Sequence, residues 1–324
     1  MTTVEGAQQP GDAGSAPTGG GPPPGAPAPG QRPPEDQRPV EDQRPAAEPA
    51  TRDLSDAITQ GLGIAVTLLA LLLLGFAAYL YFLSGIQEAR AQTGLYATLS
   101  QELSKAIAPL GSPAPGTPVA VLNIPAIGLR DEVVVEGTSP ENLTLGPGHL
   151  RDTPLPGQAG ISVLYGRRAT FGAPFARVPQ LRPGDAIKVT TGQGTATYVV
   201  KVVGDSRGRI LIDPAPSQLA LLTADSTVMP SHYIEVEATL TSTAQQNPGG
   251  RPAVSSAELA LGNDPTALIL CLAWGMALVL VAVGGTFAVV RWAKWPAYIV
   301  SVPIALAVVW NLYQNIAALL PNLY

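Results

Sequence analysis

The sequence predicts a mainly β outer domain, three transmembrane α-helices and a disordered N-terminal tail. Three long runs contain no charged side chain, and short β-type runs lie between the first and the second. The first fifty residues are rich in Pro and Gly and hold almost no large apolar side chain. We expect seven segments: 1–54 a disordered cytoplasmic tail, 55–84 the first transmembrane helix, 85–116 a helical stalk and linker, 117–242 the β domain, 243–264 a linker, 265–290 the second transmembrane helix and 295–320 the third.

Composition argues against several classes of protein. Only 13% of the 324 residues are charged, whereas a soluble globular domain carries about 25%, which argues against an ordinary cytoplasmic enzyme. The formal net charge of -5 argues against a nucleic-acid partner. One Cys and two His exclude an intramolecular disulfide, a cysteine zinc cluster and a histidine-rich metal site. We therefore expect neither a metal nor a cofactor.

The tail contains a short repeat, in which Glu35–Pro39 recurs as Glu41–Pro45. A Pro-rich repeat could be a docking motif for an aromatic groove. It is equally typical of a drifting low-complexity segment, and this interpretation is the one the composition favours.

The apolar runs are long enough to cross a membrane. Gly61–Leu83 would extend roughly 34 Å as a helix, against a bilayer core of about 30 Å. The second and third runs are joined by a short basic link, Arg291–Lys294, which requires a tight turn between antiparallel helices. Its positive charges place that turn in the cytoplasm. This predicts a multi-pass plasma-membrane protein with a cytoplasmic N-terminus and an extracellular β domain.

A helix is predicted to continue outward from the first span. Leu95, Leu99, Leu103 and Ile107 recur at every fourth position, and Pro109 is expected to end the helix. The apolar stripe could pack on the outer domain as a stalk, or it could pair with a partner helix. The first of these is favoured.

The outer domain shows many short β-type runs separated by turn residues, a pattern typical of a closed barrel or a sandwich. The runs are 119–124, 132–135, 161–164, 186–190, 198–203 and 233–238.

Six motifs in order within 117–242 resemble a sortase domain, and their spacing is similar to that of the actinobacterial class E type. They are Ile124–Leu129, Val135–Gly137, Gly146–His149, Leu155–Gly160, Ala173–Phe175 and Leu181–Asp185. The resemblance implies a sortase-like eight-stranded β-barrel outer domain, added to three transmembrane α-helices and a disordered Pro-rich N-terminal tail. It also implies an origin in an actinobacterium-like cell. Sortases are membrane-anchored transpeptidases that cleave a sorting signal through a Cys thioester and join the product to an amine.

All three catalytic positions implied by the resemblance are degenerate. Arg167 stands at the position of the family's His, Ala224 at that of its Cys, and His232, within one residue, at that of its Arg. Arginine does not exchange protons near neutral pH, and a methyl group cannot attack a carbonyl. We read His149, in a Gly-Pro-Gly-His turn, as structural.

The sequence thus favours a catalytically inactive sortase-like protein that acts as a binding or scaffold subunit at the outer face of the plasma membrane. Its partner would be another membrane or envelope protein, for example in a transport complex. Arg167 and Arg168 would face an acidic ligand or partner, or else both point to solvent. The alternative is a transpeptidase or hydrolase whose replacement nucleophile lies near Ser226, with His232 as base. A third hypothesis is a module that binds a peptide ligand without cutting it.

Overall fold

The computed structural model describes residues 51–205, 217–227, 230–291 and 294–324. Residues 1–50 of the expected disordered tail lie outside the described residues, as do the two central residues of the basic link. The chain divides into two compact units, Met1–Ile58 and Thr59–Tyr324. The described part of the first unit is the beginning of a helix, and the second unit contains the β domain.

The β domain is a closed barrel of eight strands, which confirms the predicted fold class. Around the barrel the strand order is β1-β2-β3-β4-β7-β8-β6-β5. The strands are β1 Pro118–Ile124, β2 Leu129–Glu136, β3 Gly148–His149, β4 Gly160–Tyr165, β5 Ala186–Thr191, β6 Gly194–Asp205, β7 Ser217–Ala224 and β8 Tyr233–Leu240.

Strand β7 is buried along its whole length, which explains its nearly continuous apolar sequence. One face contributes Leu219 and Leu221 to the barrel core. The opposite face carries Ala220, Leu222 and Ala224, which belong to a second apolar cluster outside the barrel. Each buried Leu stabilises the fold by about 1.5–3 kcal/mol. The strand therefore joins the barrel core to a separate layer of packing.

Three stretches of helix among the described residues are long and apolar enough to cross a membrane, namely part of Ser55–Ser104, Ala267–Arg291 and Lys294–Ala318. The first begins as α1, Thr51–Ala78, continues through a π-helical turn, Tyr79–Leu83, and becomes α2, Ser84–Ser104. The other two are α3, Ala267–Arg291, and α4, Lys294–Ala318, which pack against each other.

Helix α2 ends five residues earlier than predicted. Ala106 adopts a left-handed backbone conformation, with φ of 57°, and the N–H of Ile107 bonds the carbonyl of Glu102 at 3.0 Å. Such a left-handed cap closes the helix before Pro109 can do so. The predicted helical position of Ile107 is therefore wrong, and its side chain is 66% exposed.

The apolar stripe of α2 packs on the barrel. Leu99 is fully buried in a cluster with Val121 and Val133, which lie on β1 and β2. Two turns earlier in the helix, the side-chain amide of Gln92 donates to the carbonyl of Val133 at 3.0 Å and accepts from its N–H at 2.7 Å. The apolar stripe and the Gln92 amide together attach helix α2 to the barrel.

Part of the segment between barrel and membrane is held against the barrel by side chains. Arg251 Nη1 lies 3.1 Å from Glu136 Oε1, and the hydroxyl of Thr138 donates to the carbonyl of Glu258 at 2.7 Å. Ser255 and Glu258 form a reciprocal capping box. The stretch expected from the sequence to be a linker is thus partly built into the outer domain.

Candidate functional site

The barrel topology brings Arg167, Ala224 and His232, the three site residues predicted from the sequence, to one end of the barrel. Strands β4 and β7 are parallel neighbours, with Tyr165 opposite Leu222, so their carboxyl ends share an edge. Strand β8 runs antiparallel to β7 and begins opposite Ala224. Arg167 follows β4, Ala224 ends β7, and His232 immediately precedes β8.

Arg167 is fully buried and its donors are used inside the protein. Its Nε donates to the carbonyl of Leu143 at 3.2 Å, its Nη2 to that of Pro140 at 3.1 Å, and its Nη1 to the hydroxyl of Thr170 at 3.4 Å. Burial lowers the pKa of Arg167 to about 10, while Tyr79 opposes the shift. The side chain therefore stays cationic at neutral pH, held by backbone carbonyls.

Aromatic rings connect the guanidinium of Arg167 to the long apolar helices. The guanidinium carbon of Arg167 lies 4.8 Å from the ring centroid of Phe171, and the edge of Tyr79 meets Phe171 at 6.2 Å. Tyr79 in turn contacts Trp310 and Tyr313 of α4, at 5.1 Å and 5.7 Å. The sequence predicted no such role for Tyr79, because the contact joins residues far apart in the chain.

The loop that carries Phe171 is held in a strained conformation. Phe171 has a positive φ of 49°, a region that costs a non-glycine residue of order 1–3 kcal/mol. Its N–H donates to the hydroxyl of Ser84 at 2.8 Å, and Ser84 begins α2 directly after the π-helical turn. Such turns occur often at functional sites. Here the turn places Tyr79 and Ser84 where they contact the loop.

The side chain of Arg168 binds the backbone of Ala224. Its Nη1 donates to the carbonyl of Ala224 at 3.2 Å, and its backbone N–H donates to the carbonyl of Leu323 at 3.0 Å. Ala224 itself is fully buried. The expectation that both arginines point to solvent is wrong for Arg167, which the packing encloses completely.

Residues 319–324, which follow α4, lie against the same barrel end. Leu323 is fully buried in the cluster formed by Leu143, Leu222 and Ala224. The carbonyl of Tyr324 accepts a hydrogen bond from the Thr170 hydroxyl at 2.7 Å. No local pattern in the sequence indicated this contact, since these residues continue an apolar membrane run.

Comparison with known proteins agrees with this architecture. Residues 122–239 match the model of the sortase domain. Sortase E from Streptomyces avermitilis is 35% identical, with 43% of this chain and 97% of that chain covered and a TM-score of 0.35. This chain belongs to the sortase family. Sortase D of Bacillus subtilis (strain 168) is 34% identical over 88 residues, or 27% of this chain and 42% of that relative, so the chain spans less than half of it. A Clostridium perfringens sortase D5 transpeptidase is 20% identical, with 48% and 98% covered and a TM-score of 0.39.

In this sortase domain, His232 lies in a polar cluster on the loop between β7 and β8. Its Nδ1 is 2.8 Å from the hydroxyl of Ser231 and 3.6 Å from Asp225 Oδ2. Desolvation raises the pKa of Asp225, but backbone hydrogen bonds from His232 and Ser231 outweigh it and leave that pKa lowered. Sequence reasoning singled out Ser226, which is half-buried beside Asp225, and overlooked Ser231.

The geometry of this cluster differs from that of a catalytic triad. In a triad the base contacts the nucleophile through one ring nitrogen and the orienting carboxylate through the other. Here Ser231 and Asp225 approach the same nitrogen of His232. A hydroxyl activated by this histidine would require the imidazole to turn.

The second histidine of the sortase domain, His149, is part of a buried network. Its Nδ1 lies 2.9 Å from Glu136 Oε2, and its Nε2 lies 2.8 Å from the carbonyl of Pro154. The hydroxyl of Thr153 lies 3.1 Å from the same Nε2, so both ring nitrogens have polar partners inside the protein. Arg251 contacts the other oxygen of Glu136 at 3.1 Å, so the buried Glu136 side chain is bonded by both His149 and Arg251, an arrangement that fits the structural role expected of His149.

A separate acidic cavity lies between α2 and the barrel. Glu88 and Glu132 share a hydrogen bond there, and Arg177 also lines the cavity. Desolvation, together with the charge of Glu88 and the hydrogen bond between them, raises the pKa of Glu132 to about 8. Burial also raises the pKa of Glu88. Both shifts favour the protonated carboxyl, as expected of two neighbouring acids removed from water. Within the described residues no group of three or more His, Cys, Asp or Glu is placed to hold a metal ion.

Proposed function

We propose that this sortase-family chain is a membrane-anchored binding or scaffold subunit that does not catalyse transpeptidation. The observation that carries the proposal is the state of Arg167. At the position aligned with the family's acid–base His lies a buried cation whose donors bond Pro140, Leu143 and Thr170. A guanidinium in that setting neither gives nor takes a proton at neutral pH.

The aligned nucleophile position supports the same proposal. Ala224 offers only a methyl group, and its carbonyl is bonded by Arg168. Thioester chemistry requires a thiolate, and Cys271, the only Cys of the chain, lies in the apolar helix α3, away from the barrel sequence. At both aligned positions, the proposal therefore replaces a reactive group with a residue that serves in packing and internal hydrogen bonding.

The proposed setting is the plasma membrane, with the barrel outside and the N-terminus in the cytoplasm. Arg291 and Lys294 flank the α3–α4 connection, at the opposite end of the hairpin from the rings of Trp310 and Tyr313, which pack on Tyr79 beside the barrel. The positive-inside rule then assigns the connection to the cytoplasmic side. We propose as partner another membrane or envelope protein, for example a subunit of a transport complex.

The small-residue face of α3 is the surface we assign to that partner. Gly284 has nothing within 4 Å of the position of an added Cβ, and neighbouring Val283 and Phe287 are 63% and 69% exposed. Small residues allow the close approach on which membrane helix association depends. One span suffices to tether a barrel. The additional exposed pair, α3 and α4, therefore favours a role in packing against another membrane protein.

Affinity purification of the full-length protein in mild detergent, with mass spectrometry, tests the proposal. We expect one stoichiometric membrane partner, which is lost on Gly284→Leu. Gly275→Leu is the matched control: it also has open space, but nine residues away it lies on the opposite face of the helix. A full-length protein that purifies alone, or that loses its partner equally in both variants, contradicts the proposal.

The contact between Ser231 and His232 favours a second candidate, a sortase-fold hydrolase or transpeptidase that uses serine. This candidate predicts labelling of the outer domain by a serine-reactive phosphonate. Ser226→Ala and Ser231→Ala identify the nucleophile, and His232→Ala removes the base. Under the binding-subunit proposal the unmodified protein is not labelled above the level of these variants.

A further inference from the structure

The barrel end that holds Arg167 and Ala224 is filled by the chain itself. We infer that this end is a binding site for a Leu-Tyr peptide segment in a turn conformation, and that its resident occupant is this chain's own segment 320–324, in which the N–H of Tyr324 donates to the carbonyl of Pro321 at 3.1 Å. The inference goes beyond the proposed function and does not depend on it, because it concerns what occupies the site and not whether the site reacts.

The backbone of the segment is gripped from two sides. The loop after β4 supplies the N–H of Arg168 to the carbonyl of Leu323 at 3.0 Å and the hydroxyl of Thr170 to that of Tyr324 at 2.7 Å. From the other side, the carbonyl of Gly262 accepts the N–H of Asn322 at 3.0 Å. Main-chain hydrogen bonds of this kind hold a peptide independently of most of its side chains.

The side chains add selectivity to this grip. Leu323 enters the apolar cluster made by Leu143, Leu222 and Ala224 and is fully buried. The hydroxyl of Tyr324 lies 2.6 Å from that of Tyr81 in the π-helical turn. The site thus offers an apolar pocket for a leucine side chain and, beside it, a hydroxyl that can hydrogen-bond a tyrosine.

The fully buried amide of Asn322 binds this segment to the stretch that connects barrel and membrane. Its Nδ2 donates to the carbonyl of Ala257 at 2.6 Å and to that of Leu259 at 2.9 Å. That stretch is itself attached to the barrel through Glu258. The occupant is therefore enclosed between two parts of the outer domain, and it does not lie on an open surface.

The segment follows α4 with almost no intervening chain, since α4 ends at Ala318. A ligand tethered so closely has a high effective concentration at its site. Free peptides therefore compete poorly while the segment is bound. The same tether makes residues 320–324 a latch between helix α4 and the barrel.

A cross-linking experiment tests the contact in the full-length protein in membranes. In a Cys271→Ala background, Ala224→Cys and Leu323→Cys are combined, and a protease site is inserted between Gly249 and Gly250, which have no atom near an added Cβ. After mild oxidation and cleavage we expect the two fragments to stay joined on a non-reducing gel. Ala224→Cys combined with Val300→Cys, on an exposed position of α4, should separate.

Thiol accessibility provides a second measurement. Ala224→Cys in the same background should react slowly with a soluble maleimide, and Leu323→Asp should accelerate labelling at least tenfold. Leu259→Asp, a change at a neighbouring position that is 51% exposed, should leave the rate unchanged. Fragments that separate, or equal labelling rates with and without Leu323→Asp, overturn the inference. Neither readout requires the partner or an enzymatic activity, so failure here is distinct from failure of the proposed function.

Discussion

The guanidinium of Arg167 lies over the ring of Phe171, with the carbon 4.8 Å from the ring centroid. A desolvated cation–π contact of this kind contributes about 2 kcal/mol. Phe171 adopts a strained left-handed backbone conformation, and its ring contacts that of Tyr79 in the π-helical turn. Arg167 is thereby connected, through the rings of Phe171 and Tyr79, to the apolar helices.

Replacing Arg167 should destabilise the outer domain strongly. Arg167→Ala leaves the buried carbonyls of Pro140 and Leu143 without their donors, and each unsatisfied group costs about 1–3 kcal/mol. We expect a loss of about 2–4 kcal/mol, measured as a lower unfolding temperature in mild detergent. Arg130→Ala, at an exposed position, should change stability by less than about 0.5 kcal/mol. Equal effects of the two changes would show that Arg167 is not held as described.

The buried network of His149 should contribute more to the free energy of unfolding than the exposed cluster around His232. His149→Ala removes one of the two hydrogen-bond partners of the buried Glu136 side chain, and a buried polar group left without its partner costs about 1–3 kcal/mol or more. The matched change is His232→Ala, because the side chain of His232 is 36% exposed. Thermal unfolding of the full-length protein should rank His149→Ala well below His232→Ala. The reverse ranking would contradict the structural role of His149.

Stability should depend on pH through the Glu88–Glu132 pair. A carboxyl group whose pKa is raised from 4.5 to about 8 binds more protons in the folded state than in the unfolded state between these values. The free energy of unfolding therefore falls as pH rises through that window. Glu132→Gln should flatten this dependence, since an amide donates to Glu88 at any pH.

The measurement for this pair is the unfolding temperature of the full-length protein between pH 5 and about 8. Glu141→Gln, which changes an exposed carboxylate, should leave the slope as it is. An unchanged slope in Glu132→Gln would place the pH dependence elsewhere in the molecule.

The glycine before Arg167 should be intolerant of any side chain. A Cβ added at Gly166 would overlap the buried ring of Phe175, which belongs to the barrel core. Overpacking of this kind costs about 1–3 kcal/mol or more, so Gly166→Ala should lower the yield of folded protein and its unfolding temperature. Gly94→Ala, in open space on α2, should be neutral or stabilising because alanine favours helix by about 1 kcal/mol over glycine. A stable Gly166→Ala variant would show that the ring can move aside.

Local patterns predicted much of the fold but missed particular elements. Six of the eight strands were predicted from short β-type runs. The other two were missed, because β3 has only two residues and β7 is a nearly continuous apolar segment without alternation. The end of α2 was placed at Pro109, because a left-handed cap on Ala106 has no glycine to signal it. In the candidate site, the surrounding motifs singled out Arg167 and Ala224, and the structure brings both to one end of the barrel; their assignment to the family's His and Cys positions stays a prediction.

The sequence by itself determined the three apolar helices and the barrel class, and it singled out Arg167 and Ala224 as site residues. Hydropathy, alternation and motif order are local properties, so they can be read along the chain. Tertiary structure alone decided that Arg167 is satisfied by carbonyls from another loop, and that Tyr324 returns from the membrane to Thr170, 154 positions away in the chain. Contacts of such long range depend on how the chain closes on itself, and no local pattern carries that information.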